Sequence, residues 1–333
     1  KENNSVSIVS AIVENPSGYG HIIRDEKGNF LKNIEHKDAS EQQKQIKEIN
    51  TGIYCFKGSE LKKALSKLTN HNTQGEYYLP DTLEIILQSG GKVNALITTD
   101  ATAFFGVNSR VQLAEATAIM QNRINQKHME NGVTIIAPQS TWIDADVEIG
   151  QDTIIQPNTI IEGNTIIGED CMIGPNTKLT NMTIGNAVQI QYTSATSSSI
   201  GNSAIVGPFA YIRPDCHIGD GVKVGDFVEV KNSTVGNGTK IPHLTYIGDT
   251  DAGEKINFGC GSITVNYDGN KKHRTVVEDN VFVGCNTNLV APVTIKKGSY
   301  IAAGSTITKN VPENVLAVAR ARQQIIEGWS KKY

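Results

Sequence analysis

Four side chains fall at spacings that could support acyl or phosphate chemistry. Arg213 and Lys231 lie 18 positions apart, and Glu229 stands two before Lys231. On a scaffold whose coil has that same length, the two cations stack on one face and form a cradle for a phosphate. Glu229 and Lys231 flank Val230 and point outward together. A solvated charge face is the competing reading, and residue types alone leave both open. His243 follows in Ile241-Pro242-His243-Leu244-Thr245-Tyr246-Ile247. It is third in its six-residue unit, near a corner where a ring can face a neighbouring subunit. An imidazole, with an ordinary pKa of roughly 6.5, suits proton uptake near neutral pH; an isolated His is more often structural than catalytic. Downstream lies Val265-Asn266-Tyr267-Asp268-Gly269-Asn270-Lys271-Lys272-His273-Arg274. Its Asn and Tyr can bind polar groups and its Lys pair can bind phosphate as point charges. A tolerated surface insertion is the alternative.

These residues sit within a six-residue beat. An aliphatic residue recurs at Ile143, Ile149, Ile155, Ile161, Ile167, Ile173 and Leu179. The beat resumes from Ile200 to Val230, slips by one residue to Val235, Ile241 and Ile247, and closes from Val277 to Ile307. A hexapeptide period predicts a parallel β-helix, with three units to a triangular coil. Each aliphatic side chain points inward. Thr153, Thr159, Thr165 and Thr177 recur four positions later, and Gly and Asn suit the turns. A β-sandwich would place turns every 8–12 residues or so. About eight coils are expected over this part of the chain. The longest interruption is Ser262 to Val276.

The rest of the chain reads as α/β. Strands are predicted over Val6–Val13, Ile49–Phe56 and Lys92–Thr98. One helix is predicted from an N-cap at Ser59 through Lys67, another over Asp81–Gln88. Residues 1–107 thus read as the second part of an α/β domain. Residues 108–131 read as a linker helix of roughly 30 Å. Val111, Leu113, Ala114, Ala118, Met120 and Ile124 form its apolar face, and Gly132 its stop. The β-helix is expected over 132–313 and a basic tail over 314–333.

Composition narrows the function. The 333 residues allow two domains, and a net charge of −3 argues against a general nucleic-acid footprint. No apolar run approaches the roughly 18 residues of a membrane span. The five cysteines are odd in number and form no C-x-x-C pair. Reduced thiols and a cytoplasmic location are therefore expected, without structural zinc.

Three stretches carry a resemblance: Gly207-Pro208-Phe209-Ala210-Tyr211-Ile212-Arg213-Pro214, His243-Leu244-Thr245-Tyr246-Ile247-Gly248-Asp249, and Asn266-Tyr267-Asp268-Gly269. Asn15 to Gly20, Glu35 to Ala39, Glu48 to Gly52, Gln74 to Tyr78 and Gly106 to Asn108 extend it across the chain. The chain resembles the bifunctional bacterial enzymes that make UDP-N-acetylglucosamine. These join a glucosamine-1-phosphate acetyltransferase to an N-acetylglucosamine-1-phosphate uridylyltransferase.

The resemblance implies a left-handed parallel β-helix preceded by part of a Rossmann-like nucleotidyltransferase domain. It also implies a homotrimer with sites between subunits, acting on small molecules. It implies acetyl transfer from acetyl-CoA to the 2-amine of glucosamine-1-phosphate. His243 matches the general base, and Arg213, Lys231, Tyr246 and Asn257 match positions holding the sugar phosphate. Glu229 is expected to orient the amine or a neighbouring side chain. Asn266 and Tyr267 match a pair contacting substrate and cofactor. Cys260, Cys285, Ala303 and Arg320 fall where acetyl-CoA is bound. Both cysteines replace the Ala and Ser of some relatives; where the contact is made through backbone groups the change is harmless, and neither need be a nucleophile. Gly20, Glu35 and Asn50 match positions binding the uridine-linked sugar, and Asn108 a magnesium and nucleotide contact. The family's glycine-rich loop, catalytic Lys and metal-binding Asp would precede Lys1. The chain reads as N-terminally truncated and is expected not to transfer uridylate. A β-helix acyltransferase on another amine is the alternative enzyme, and a trimeric scaffold that binds a nucleotide sugar the non-enzymatic one. The scattered coil positions of His217, His243 and His273 do not suit a three-His metal site.

Overall fold

The computed structural model describes residues 3–104, 106, 107 and 109–332. The chain forms two compact units, Lys1–Ile119 and Met120–Tyr333. The first holds a five-stranded mixed sheet of β1 (Val6–Ile12), β2 (His21–Arg24), β3 (Phe30–Ile34), β4 (Glu48–Phe56) and β5 (Val93–Ile97), in the order β3-β2-β4-β1-β5. Only β1 and β5 run parallel; the other pairs are antiparallel. Val6 and Ile8 alternate inward to meet Ile22, Phe30, Leu83 and Ile86. The last two come from α2 (Asp81–Gln88), which follows α1 (Gly58–Leu65). Ser59 is not the N-cap. The N–H groups of Glu60 and Leu61 both donate to Lys57 O, so α1 starts earlier, behind an extended Lys57.

A long helix, α3, runs over Arg110–Glu130, and the division between units falls within it. Its expected apolar face is not the face that is buried. Val111 is 68% exposed and Met120 49%, whereas Gln121, Asn125 and His128 are buried and Ile124 is partly so. Gln121 Nε2 donates to Thr141 O at 2.7 Å, and Asn125 Nδ2 donates to Pro138 O at 2.9 Å. The first coil of a solenoid has no preceding coil to pair its carbonyls. Amide side chains satisfy them and aliphatic ones cannot.

The second unit is the left-handed β-helix. Its inward aliphatics form one continuous core from Val133 to Val311. One face is an 11-stranded parallel ladder, from Thr134–Ile135 to Leu316–Ala317. The solenoid is therefore longer than the eight coils expected, and its last strand lies past the expected boundary at 313. The terminal coils hide their beat behind a 3-10 turn at Pro138–Ser140 and the polar Thr141. Coils are also not uniform in length: Leu179 pairs back to Ile161 and onward to Ala195, a shorter step along the chain. The recurrent threonines are buried, and their hydroxyls donate to backbone carbonyls such as Gly168 O and Gln156 O. Asn158 and Asn176 take left-handed turn conformations, φ 58° and 51°. Strands Ile263–Val265 and Thr275–Val277 continue the ladder on either side of the interruption, so the excursion itself is Asn266 to Arg274.

Candidate active site

Coil register builds the first cluster. Asp226 pairs with His243, and Lys240 with Asn257, which sets Cys260 at the same place one coil after His243. Phe258 pairs with Val283 and Val283 with Ile301, so Cys285 and Ala303 continue the column. The Asn286 N–H donates to Cys260 O and the Gly304 N–H to Cys285 O, each at 2.8 Å. Arg320 closes the upper end. Its Cδ lies 3.9 Å from where a Cβ on Gly304 would stand. One corner thus presents Asp226, His243, Cys260, Cys285 and Ala303 from successive coils.

Within this column His243 Nδ1 lies 2.5 Å from Asp226 Oδ1. That hydrogen bond holds the Asp226 carboxyl below its ordinary range. The His243 side chain is 54% exposed. Sequence reasoning did not single out Asp226. Its signal is an offset of one coil from His243 along this part of the solenoid.

The second cluster occupies another face. Tyr211, Glu229, Tyr246 and Ile263 stack there coil upon coil. Arg213 Nη1 donates to Glu229 Oε1 at 2.9 Å, which pushes the guanidinium pKa up. Lys231 is 17% exposed and its Nζ lies 3.9 Å from Oδ2 of the buried Asp249. Asn266 Nδ2 donates to Asp249 Oδ2 at 2.5 Å and to Tyr246 Oη at 3.2 Å. From the excursion Lys272 comes against Lys231, and its own pKa is pushed down by that neighbouring ammonium. A solvated face does not withdraw a Lys from water or juxtapose two ammonium groups; this one does both. Asp249, also missed, stands one coil on from Lys231, and its N–H donates to Lys231 O at 3.0 Å.

Not every expected neighbour is present. Asn257 lies on the ladder that carries His243, away from Tyr246. Tyr267 is 57% exposed and donates its hydroxyl to Gly269 O at 2.8 Å, so it does not join the Asn266 network. The excursion is tied by Asp268, which accepts from the N–H groups of Asn270 and Lys271 and pairs with His273 Nε2 at 2.7 Å. These donors pull its carboxyl down to about 2.

In the first unit Gly20, Glu35 and Asn50 come together. A Cβ on Gly20 would lie 2.8 Å from Asn33 Oδ1 and 2.9 Å from Glu35 Oε1, and the Asn50 N–H donates to Gly20 O at 2.8 Å. Asn33 Oδ1 is buried without a partner, which suits a ligand donor arriving over Gly20. Asn108 lies outside the described residues. Among the described residues, no group of three His, Cys, Asp or Glu side chains could hold a metal.

The sequence matches a family model and curated relatives of this architecture. The family model described as bacterial transferase hexapeptide (six repeats) matches residues 146–181, 197–232 and 274–309. The bifunctional protein GlmU of Caldanaerobacter subterraneus is 58% identical over 98% of this chain and 72% of its own length. That of Clostridium perfringens is 55% identical over 99% of this chain and 72% of its own. The chain belongs to the GlmU family. It is an acetyltransferase of UDP-N-acetylglucosamine synthesis. A solved UDP-N-acetylglucosamine acyltransferase from Francisella novicida is similar over 56% of this chain and 67% of its own, at 20% identity and a TM-score of 0.40.

Proposed function

We propose that the two clusters divide the acetyl transfer. The corner column handles the proton and the acetyl donor, and the cation face holds the acceptor's phosphate. The observation that carries this reading is the 2.5 Å contact between Asp226 and His243. With Asp226 ionised, Nδ1 carries the shared proton and Nε2 keeps its lone pair. Nε2 takes a proton from the 2-amine as the nitrogen bonds to the thioester carbonyl carbon. The carbon–sulfur bond then breaks, and the proton leaves with the coenzyme A thiolate. Asp226 favours the imidazolium formed between these steps. A backbone N–H near Cys260 would stabilise the developing oxyanion.

Lys231, Lys272 and Arg213 hold the phosphate, with Tyr246 and Asn266 beside them. A bound dianion offsets the repulsion between the two ammonium groups. Glu229 acts by fixing Arg213 rather than the amine. Cys260, Cys285, Ala303 and Arg320 line the acetyl-CoA path, with Asn257 on the same face for the sugar. Tyr267 stands exposed, where either substrate could reach its ring. In the first unit, Gly20, Glu35 and Asn50 bind the uridine-linked sugar, joined by Asn33. Magnesium belongs to that half with Asn108, and no step of the acetyl transfer runs through it.

The assembly is a homotrimer in this reading. Phe209 meets Tyr192 at a tilt, 5.3 Å between ring centres, and stacks on Phe227 at 5.4 Å, and Leu244 extends the exposed ladder beside His243. A contiguous apolar strip of this kind marks an interface. A second copy packed there would border the column. Among the described residues no helix is long and apolar enough to cross a membrane, and a cytoplasmic enzyme fits the free cysteines.

The test is acetyl-CoA consumption with glucosamine-1-phosphate, beside unphosphorylated glucosamine and beside His243→Ala. Turnover that needs both the phosphate and His243 supports the division. Equal turnover of glucosamine would move the search to other amine acceptors.

A further inference from the structure

Cys260 and Cys285 hold the same corner position on successive coils, with the excursion between them in the chain. Paired strands stand about 4.8 Å apart, inside the roughly 4.4–6.8 Å Cα separation that a disulfide spans. Both thiols are free; Cys285 is exposed and Cys260 partly so. The other cysteines differ. Cys171 and Cys216 are buried, and burial pushes both thiols up, away from reactivity. Cys55 lies in the other unit.

We propose that Cys260 and Cys285 are a redox pair at the acetyl-donor site, oxidised by the disulfide of coenzyme A to a cross-coil disulfide that stops acetyl transfer. The donor-site part rests on the function proposed above. Cys285, the more exposed, attacks first as its thiolate. One coenzyme A sulfur bonds to Cys285 and the other leaves as a thiol. The Cys260 thiolate then attacks Cys285 Sγ and expels the second coenzyme A thiol. Two protein thiols and one disulfide become one protein disulfide and two thiols, so electrons and protons balance. A thiol reductant reverses the step. The column favours this oxidant over a simple one because the path that seats acetyl-CoA also delivers coenzyme A disulfide to Cys285.

The experiment treats the whole chain with coenzyme A disulfide, and separately with bis(2-hydroxyethyl) disulfide. Peptide mass spectrometry and acetyl transfer are both read before and after a thiol reductant. We expect a peptide linked through Cys260 and Cys285, lighter by two hydrogens. We expect turnover to fall at least tenfold and return on reduction. Coenzyme A disulfide should react at least tenfold faster than the simple disulfide. Cys260→Ala should stop at a single coenzyme A adduct on Cys285. Each protein is compared with itself before oxidation. Coenzyme A adducts without the linked peptide would overturn the pair. The linked peptide with unchanged turnover would keep the pair but remove it from the donor site. Equal rates for the two disulfides would remove the recognition of coenzyme A.

Discussion

The corner column and the cation face are built on the same repeat, yet they differ in what the repeat does to charge. Along the column each coil adds one small or polar side chain, and the one strong contact joins successive coils, Asp226 to His243. The ring stays half exposed and free to meet a reacting amine. On the face, the coils and the excursion crowd Lys231, Lys272, Asn266 and Tyr246 around one buried carboxylate, Asp249. Charge is concentrated and partly withdrawn from water, as anion capture requires. In the function proposed above, the solenoid assigns proton chemistry and substrate holding to different faces without either disturbing the fold.

The largest expected effect comes from the column. His243→Ala should lower kcat by about 10²–10⁴-fold, the range of general base catalysis, while KM for glucosamine-1-phosphate changes little. An equal rise in KM, seen in steady-state kinetics, would break the division between the clusters. Next is the face. Lys231→Ala should raise KM for glucosamine-1-phosphate by about 10–100-fold, the loss of one charged contact, and leave glucosamine itself unaffected. A matching loss with unphosphorylated glucosamine would place Lys231 elsewhere in the reaction.

Asp226→Asn sharpens the comparison. An amide can still hold the ring but does not favour the imidazolium. A fall in kcat of about tenfold is expected, limited by solvent screening of a pair this exposed. Unchanged kcat would make the contact structural only.

The smallest effect concerns pH. Asp268 has its carboxyl pulled down to about 2 by the N–H groups of Lys271 and Asn270 and by His273. A depressed carboxyl contributes stability that is complete above its ordinary value. That stability is lost only as pH falls from about 4 toward about 2. The excursion should stay ordered from pH 8 to 5. Hydrogen exchange of its amides, corrected for the intrinsic rate, should show no loss of protection over that window. In Asp268→Asn, protection should drop at every pH.

How much was legible varies with the region. In the β-helix, position modulo the coil length fixes which side chains stack. Arg213 above Lys231 follows from arithmetic alone, as does the run of Cys260, Cys285 and Ala303 once the excursion is allowed for. The same arithmetic could have found Asp226 and Asp249. In the mixed sheet no period exists, and Gly20, Asn33, Glu35 and Asn50 reach one another across separate strands. There only the resemblance pointed to three of them, and Asn33 escaped notice.

The sequence by itself determined the solenoid, its inward aliphatic ladder and the coil to which each chemical residue belongs, because a six-residue period leaves a side chain few directions. Tertiary structure decided the rest. It showed that Lys272 rather than Lys271 meets Lys231, and that Tyr267 stands apart from Asn266. It also showed that α3 buries amides instead of its aliphatics. Each outcome depends on a loop path or on an end where the repeat stops. There, unpaired carbonyls and nearby charges, rather than periodicity, select the partner.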